Sequence, residues 1–485
     1  MIHTMLGEDL FRKGMDLYFE RHDGEACIVE QFIKCFADTS GEDFSQFMLW
    51  YSQAGTPELV CTLDHDEKAQ TTTLHVTQLL SPSPGQEHKE AYHIPLKMGL
   101  LDESGTDLPL ELTDGTKVED GLLHVKKPEQ SFTFNNIKKR PILSALRNFS
   151  APVKLTTSAD SKELLFLAAH DSDRYNRWQA MQSSMLKLLV DNVKAEQNSE
   201  PQSAGKKLGE ALHNALQEKK LDPMFSPALL AFPGVNNIAR ELGDNIDHPA
   251  IYEVRKKLRA AIGEQLRDEL THIYETTNIS GPFSPDAASA AKRSLRHACL
   301  GLLYATGEAR DLERLYDHYC NANNMTEVAN ALDHLAQTSS PQRQKAFDDF
   351  YDKWKDDHVV IEKWFAFQAM SPMDDTLDQI GDLMKNPLFS LKNPNKARAL
   401  IGAFAMNNPV QFNRADGKGY EFVARTIIKI DSFNPQIASR LLGSFKSWKV
   451  LEPGRRDKIK PILEDLAAHK GLSTDSFEII SKVIQ

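Results

Sequence analysis

Leu258-Arg259-Ala260-Ala261-Ile262-Gly263-Glu264-Gln265-Leu266-Arg267-Asp268-Glu269-Leu270 sets apolar side chains at 258, 261, 262, 266 and 270, with charged residues between them. Spacings of three and four bring those side chains onto one face of a helix, because each residue turns the chain by about 100°. Leu208, Ala211, Leu212, Ala215 and Leu216 form an earlier stripe of the same kind, and the helical period runs almost without interruption from Ser150 to Gln485. Punctuation agrees with it. A short polar residue precedes proline at Asp222-Pro223, Ser226-Pro227, Ser284-Pro285, Ser340-Pro341, Asn393-Pro394, Asn408-Pro409 and Asn434-Pro435. Such a side chain can accept from the free N–H groups of a first turn, and proline at the next position has no N–H to leave unpaired. Many ordinary helices joined by short loops predict a large all-α superhelical, solenoid-like domain over 151–485, irregular because no strict repeat length is visible. The polar stretch Gln197 to Gly205 reads as a loop.

Toward the N-terminus the period changes to two. Leu74 and Val76, then Ile94, Leu96, Met98 and Leu100, then Leu108, Leu110 and Leu112, then Phe132 and Phe134 alternate with other residues. Turn residues separate these runs at Ser81-Pro82-Ser83-Pro84-Gly85, Glu103-Ser104-Gly105 and Thr113-Asp114-Gly115. Short alternating strands with such turns predict a small antiparallel β-sandwich over 58–150. Before Gly55-Thr56-Pro57, Leu10, Met15, Leu17, Phe19, Ile28, Phe32, Ile33 and Phe36 return to helical spacing. Helices so few and short make a poor core alone, so residues 1–57 are expected to pack on something else.

Composition narrows the class. The 485 residues carry 57 Lys+Arg against 68 Asp+Glu, a net charge of -11, and no basic stripe stands out that would neutralise a phosphate backbone, so a nucleic-acid partner is not expected. Five cysteines, Cys27, Cys35, Cys61, Cys299 and Cys320, include no C-x-x-C pair and read as reduced thiols. Apolar stretches such as Ala228 to Phe232 fall far short of the roughly 18 residues of a membrane helix. Met1 to Asp9 has neither a basic start nor a long apolar core, so no signal peptide is read there and a cytoplasmic location is expected.

Searches for catalytic patterns fail in an informative way. There is no H-E-x-x-H, and His88-Lys89-Glu90-Ala91-Tyr92-His93 has the wrong spacing for two ligands on one helical face; an exposed hairpin is the simpler expectation. No G-x-S-x-G elbow occurs, and Gly205-Lys206 and Gly417-Lys418 lack the earlier glycine of a phosphate loop, so both read as turns. His318 and His334 stand singly in helical sequence. No catalytic residue and no metal ligand is therefore expected in this chain. The aromatics Tyr351 and Trp354 with Trp364, Phe365 and Phe367 either pack helix against helix, the favoured reading, or form a ligand platform. Arg398, shortly after a helix start at Asn393-Pro394, either caps a carbonyl or carboxylate or faces a cavity and binds an anion.

Several of these segments carry a resemblance. Met1-Ile2-His3-Thr4-Met5-Leu6-Gly7-Glu8 with Gly14-Met15, Tyr18-Phe19-Glu20-Arg21-His22-Asp23-Gly24, Trp50-Tyr51-Ser52-Gln53 with Gly55-Thr56-Pro57, Ser150-Ala151-Pro152-Val153-Lys154-Leu155, Asn323-Asn324-Met325-Thr326, and Asn393-Pro394-Asn395 through Ile401-Gly402-Ala403-Phe404 resemble the bacterial aminopeptidase N family of zinc peptidases. The matches keep the family's order and span essentially the whole chain. They imply that 1–57 is the helical tail of a thermolysin-like catalytic domain, 58–150 the family's small β-domain and 151–485 its helical C-terminal domain. The family's H-E-x-x-H helix, G-A-M-E-N strand and transition-state tyrosine lie upstream of the position matching Met1, so none of its catalytic or zinc-binding residues transfers. The resemblance implies a C-terminal part of the enzyme, inactive alone, that caps and gates the active-site chamber. Its zinc and catalytic half would be supplied elsewhere, and its substrate would be a peptide that loses N-terminal residues. Arg398 and Arg440 match arginines that the family directs toward the peptide. The rival expectation is an independent α-solenoid scaffold that binds a protein partner on its concave face.

Overall fold

Strand β1 (Glu58–Asp66) begins directly after Pro57 and pairs along its whole length with β2 (Thr71–Leu79), Glu58 opposite Leu79 and Asp66 opposite Thr71. The computed structural model describes residues 1–217 and 224–485, and among them are five further strands: β3 (Ile94–Leu101), β4 (Leu122–Val125), β5 (Glu129–Phe134), β6 (Ile142–Ala145) and β7 (Lys154–Thr157). They form two sheets, ordered β5-β2-β1-β7 and β4-β3-β6. Every pairing is antiparallel except β1 with β7. Alternation does what period two requires: Leu59, Cys61, Leu74 and Val76 of the first sheet and Leu96, Met98, Leu100 and Leu123 of the second share one core. β3 is buried on both faces except at Lys97, because Arg147 covers Gly99; a Cβ there would stand 2.3 Å from the guanidinium carbon.

One expected strand is absent. Leu108, Leu110 and Leu112 pack against the sandwich core, but their segment touches its neighbours only through isolated bridges such as Leu112 with Phe134. Pro109 removes a backbone donor from the middle of the run, which suits an edge better than a ladder.

Helices Ile2–His22 and Val29–Ser40 enclose their own small core of Ile2, Ile33, Phe36, Phe44 and Phe47. Gly14 permits the close approach: a Cβ there would lie 2.3 Å from the Phe36 ring. The segment does pack on a neighbour. Trp50 Nε1 donates to the His93 carbonyl at 3.0 Å, and Gln46 Nε2 donates to the carbonyls of Ala91 at 2.8 Å and Lys126 at 2.7 Å. Met1, Leu49 and Trp50 join the sandwich core.

Contacts divide the chain into two compact units, Met1–Ser184 and Met185–Gln485. In the second, helices Ala287–Ala305, Ala309–Asn321, Met325–Leu335, Pro341–Trp354 and Ile361–Ala369 pack each on the next, and alternate ones also touch, as in a solenoid. Leu258, Ile262, Leu266 and Leu270 are buried as their stripe predicts. Their run is two helices, His248–Gln265 and Arg267–Thr276, divided where Leu266 leaves helical geometry (φ -104°, ψ 15°).

Side chains of Ser340, Asn393, Asn408 and Asn434 accept from first-turn N–H groups as expected. Two starts differ. Ser226 is already the first residue of its helix, and Ser284 supports Asp286, whose carboxylate caps Ala287–Ala305 by accepting from Ser289 N at 2.9 Å. A carboxylate two residues nearer the helix reaches the free N–H groups that Ser284 does not. Asp222-Pro223 lies outside the described residues.

Candidate functional site

Arg398 follows a tightly built helix start. Asn393 Oδ1 accepts from the N–H groups of Asn395 at 3.0 Å and Lys396 at 3.3 Å, and Pro394 opens a short helix that ends at Ala397. From Arg398 to Gly402 the backbone then widens into a π-helical turn before Ala403–Asn407 continues. Such turns are rare insertions and occur frequently at functional sites. Ala397, Leu400, Ile401 and Phe404 anchor this helix in the core, which leaves Arg398 exposed. Among the described residues its guanidinium bonds only locally, to the Pro394 carbonyl at 3.3 Å and to Asn395 Oδ1.

Arg440 stands on the short helix Pro435–Leu441, whose Ile437, Ala438 and Leu441 are buried. Arg440 itself is exposed, and no hydrogen bond or ion pair holds its guanidinium among the described residues. Both arginines thus present charge to solvent from rigid helices, the condition for reading a carboxylate or carbonyl with a forked donor. Neither lines the cavity of about 490 Å³ that lies between Met406, Phe412, Ser444 and His248. His248 is buried in that wall beside the Arg455 guanidinium, and burial first, then that charge, pushes its pKa down to about 4. Arg455 is itself held by Asp247 and Glu452, each at 2.9 Å, and by the Asn413 carbonyl at 2.6 Å.

The other sequence candidates resolve into structure. Trp364 donates from Nε1 to the Phe347 carbonyl at 2.9 Å and meets Tyr351 at 4.8 Å, so these aromatics pack helix Ile361–Ala369 on Pro341–Trp354. Gly205 (φ 73°) and Gly417 (φ 79°) make turns before helices. His88 is exposed, but the expected hairpin does not extend to His93, which is buried with Nε2 2.8 Å from His124 Nδ1. Burial is the main cause that pushes the His93 pKa down to about 4. The five cysteines are free, and Cys35, Cys61 and Cys299 are buried. Among the described residues, no helix is long and apolar enough to cross a membrane.

His318 is a different matter. It is not single in space: His297 and Glu327 stand beside it, a grouping the linear search had no means to find. The three residues are 21 and 9 positions apart and come from separate helices, so no spacing announces them. His334 packs against Gly301 and lies near His297 and His318, but among the described residues it is not one of the grouped ligand atoms.

An Ig-type β-sandwich followed by stacked helices is the class that this geometry defines, and comparison with known families agrees. Residues 55–158 match a family model described as "Domain of unknown function (DUF3458) Ig-like fold". Residues 161–485 match the model "Domain of unknown function (DUF3458_C) ARM repeats", and the chain belongs to this family. Aminopeptidase N of Escherichia coli (strain K12) is 37% identical over 485 residues, covering 100% of this chain and 55% of the relative. Aminopeptidase N of Caulobacter vibrioides is 37% identical over 486 residues, with the same coverage of 100% and 55%. A crystal structure of Legionella pneumophila aminopeptidase A in complex with aspartic acid superposes with a TM-score of 0.84 at 28% identity, over 100% of this chain and 55% of the other. The chain therefore spans about half the length of the relatives it matches and corresponds to a C-terminal part of bacterial aminopeptidase N, without that family's H-E-x-x-H segment among its 485 residues.

Proposed function

We propose that this chain is the part of a zinc aminopeptidase that covers the active-site chamber and contacts the peptide, while the residues that hold the catalytic zinc belong to the other half of the enzyme. The observation that carries the reading is a match to aminopeptidase N along the whole of this chain and 55% of the relative, in a chain without H-E-x-x-H. The residues present do not fit the family's zinc motif, so no hydrolytic step is assigned to them. Their contribution is binding. Arg398 and Arg440 each offer a planar guanidinium to the carboxylate or carbonyl of a peptide several residues long, which holds the far end while the N-terminus is processed. The partner implied is the catalytic half, the substrate a peptide, and the setting the cytoplasm, in keeping with five unpaired thiols. The match of this whole chain to a C-terminal part of one enzyme lends nothing to the rival of a free-standing scaffold.

Kinetics on the assembled enzyme test this. With the catalytic half co-expressed, Arg398→Ala and Arg440→Ala should lower kcat/KM for peptides of several residues and leave a single-residue arylamide nearly unchanged. Equal losses on both substrates, accompanied by a lower Tm, would return the two arginines to a purely structural role.

A further inference from the structure

His297, His318 and Glu327 come from three successive helices, Ala287–Ala305, Ala309–Asn321 and Met325–Leu335, and one ligand-capable atom of each lies within 4.8 Å of the other two. The two imidazoles meet edge to face, with centroids 5.5 Å apart. His318 is 4% exposed and Glu327 9%. Among the described residues, Nε2 of His297 and Nε2 of His318 are both buried without a hydrogen-bond partner. Buried polar atoms are nearly always paired, so two orphans in one cluster ask for a missing partner.

The remaining contacts leave the right atoms free. His318 Nδ1 lies 3.1 Å from the Tyr274 hydroxyl. A proton on Nδ1, donated to that oxygen, leaves a lone pair on Nε2, as second partners of ligating histidines usually arrange. One oxygen of Glu327 accepts from Asn324 Nδ2 at 2.7 Å and the other from Arg296 at 3.4 Å. A carboxylate has about four acceptor positions, so it can take a metal and keep both bonds. Arg296 also lies over the Tyr274 ring, its guanidinium carbon 4.4 Å from the centroid, with Arg314 at 5.8 Å, and Arg310 and Arg314 line the adjoining cavity; these positive charges oppose a cation here.

We propose that His297, His318 and Glu327 bind a single zinc ion that ties the three helices together. Two imidazole nitrogens and one carboxylate oxygen are a common zinc set, and a fourth position stays open for water. His318 and Glu327 line a polar cavity of about 430 Å³ that can supply it. Metal–ligand bonds of about 2.0–2.1 Å set ligand atoms roughly 3.4 Å apart in a tetrahedron, so binding draws the cluster inward by about 1 Å. No two of the ligands share a helix, which is why the ion would act as a clip between repeats.

The test uses the full chain, stripped with a chelator and then titrated with zinc alone against a chromogenic competitor, and separately with cobalt. Wild type should bind one equivalent, gain several degrees in Tm, and give the visible absorption of tetrahedral cobalt. His297→Gln, His318→Gln and Glu327→Gln should each weaken zinc binding by at least about tenfold and abolish the gain in Tm. Glu327→Gln decides if a histidine variant fails to fold, since it keeps the side chain's volume and its bond from Asn324. No zinc on wild type, or zinc bound equally by wild type and Glu327→Gln, would overturn the proposal; the latter means an adventitious ion only.

Discussion

Two regions of the helical unit hold polar groups in opposite ways. Around Arg398 and Arg440 the buried apolar residues anchor each helix and the charges stand in solvent, one bonded within its own helix and the other, among the described residues, to nothing. Around His297, His318 and Glu327 the polar groups are drawn inside from separate helices and two nitrogens lack partners. An exposed guanidinium loses little by waiting for a ligand, because water already solvates it. A buried imidazole nitrogen has no such substitute, so its need is written into the fold itself. The first arrangement suits a ligand that comes and goes, the second a resident one.

The largest contrast should come from breaking the buried side. Asp311, wholly buried on the helix that carries His318, accepts from Arg267 at 2.8 Å and Thr306 at 3.3 Å and pairs with Arg314. Asp311→Ala removes the buried carboxylate shared by Arg314 and Arg267, although Arg267 keeps Glu264 at 2.8 Å and Glu308 at 2.9 Å, and should cost about 3 kcal/mol, read as a lower denaturation midpoint of the helical unit. Next in size is the exposed side's effect on substrate. A charge-assisted hydrogen bond is worth about 1.5–3 kcal/mol, so Arg398→Ala or Arg440→Ala should lower kcat/KM on longer peptides about ten- to a hundredfold in the assembled enzyme.

Acid acts on another buried imidazole of the helical unit, His248, which belongs to neither region. Its folded pKa, about 4, lies below the ordinary value of 6.5, so the unfolded chain takes up the proton first as pH falls. The stability that neutral, buried His248 contributes is complete above about pH 6.5 and is lost as pH falls toward 4, at up to about 1.4 kcal/mol per pH unit. Urea unfolding of wild type and His248→Gln at pH 7 and pH 4.5 should show the gap between them shrinking; a constant gap would contradict the sign. The smallest effect completes the comparison: Arg398→Ala and Arg440→Ala should each change stability by no more than about 0.5 kcal/mol, checked by the same unfolding curves.

Much of this architecture was legible because burial imposes a period. Leu258 to Leu270 showed their helical face, and Leu74 with Val76 and Ile94 to Leu100 their alternation, since each side chain's fate follows from the turn per residue. The break at Leu266 has no signature in a run whose apolar stripe continues across it, and the missing strand at Leu108–Leu112 was marked only by Pro109, which the alternation around it outweighed. Arg398 was marked by its place after the helix start at Asn393-Pro394, and a resemblance carried by neighbouring residues added Arg440. The π-helical turn that begins at Arg398 has no signature in the run Arg398-Ala399-Leu400-Ile401-Gly402, whose composition suits an ordinary helix equally well.

The sequence by itself determined the order of helical tail, sandwich and helical stack, the cap residues at Ser340, Asn393, Asn408 and Asn434, and the likeness to aminopeptidase N. All of these are properties of neighbours along the chain, where a few residues suffice to set a period, a cap or a motif. Only the tertiary structure decided that His318 has His297 and Glu327 for company, that His93 meets His124, and that Arg398 and Arg440 remain in solvent. Those facts depend on how helices and strands far apart in sequence are superposed, and a side chain's chemistry changes with the atoms that superposition places around it.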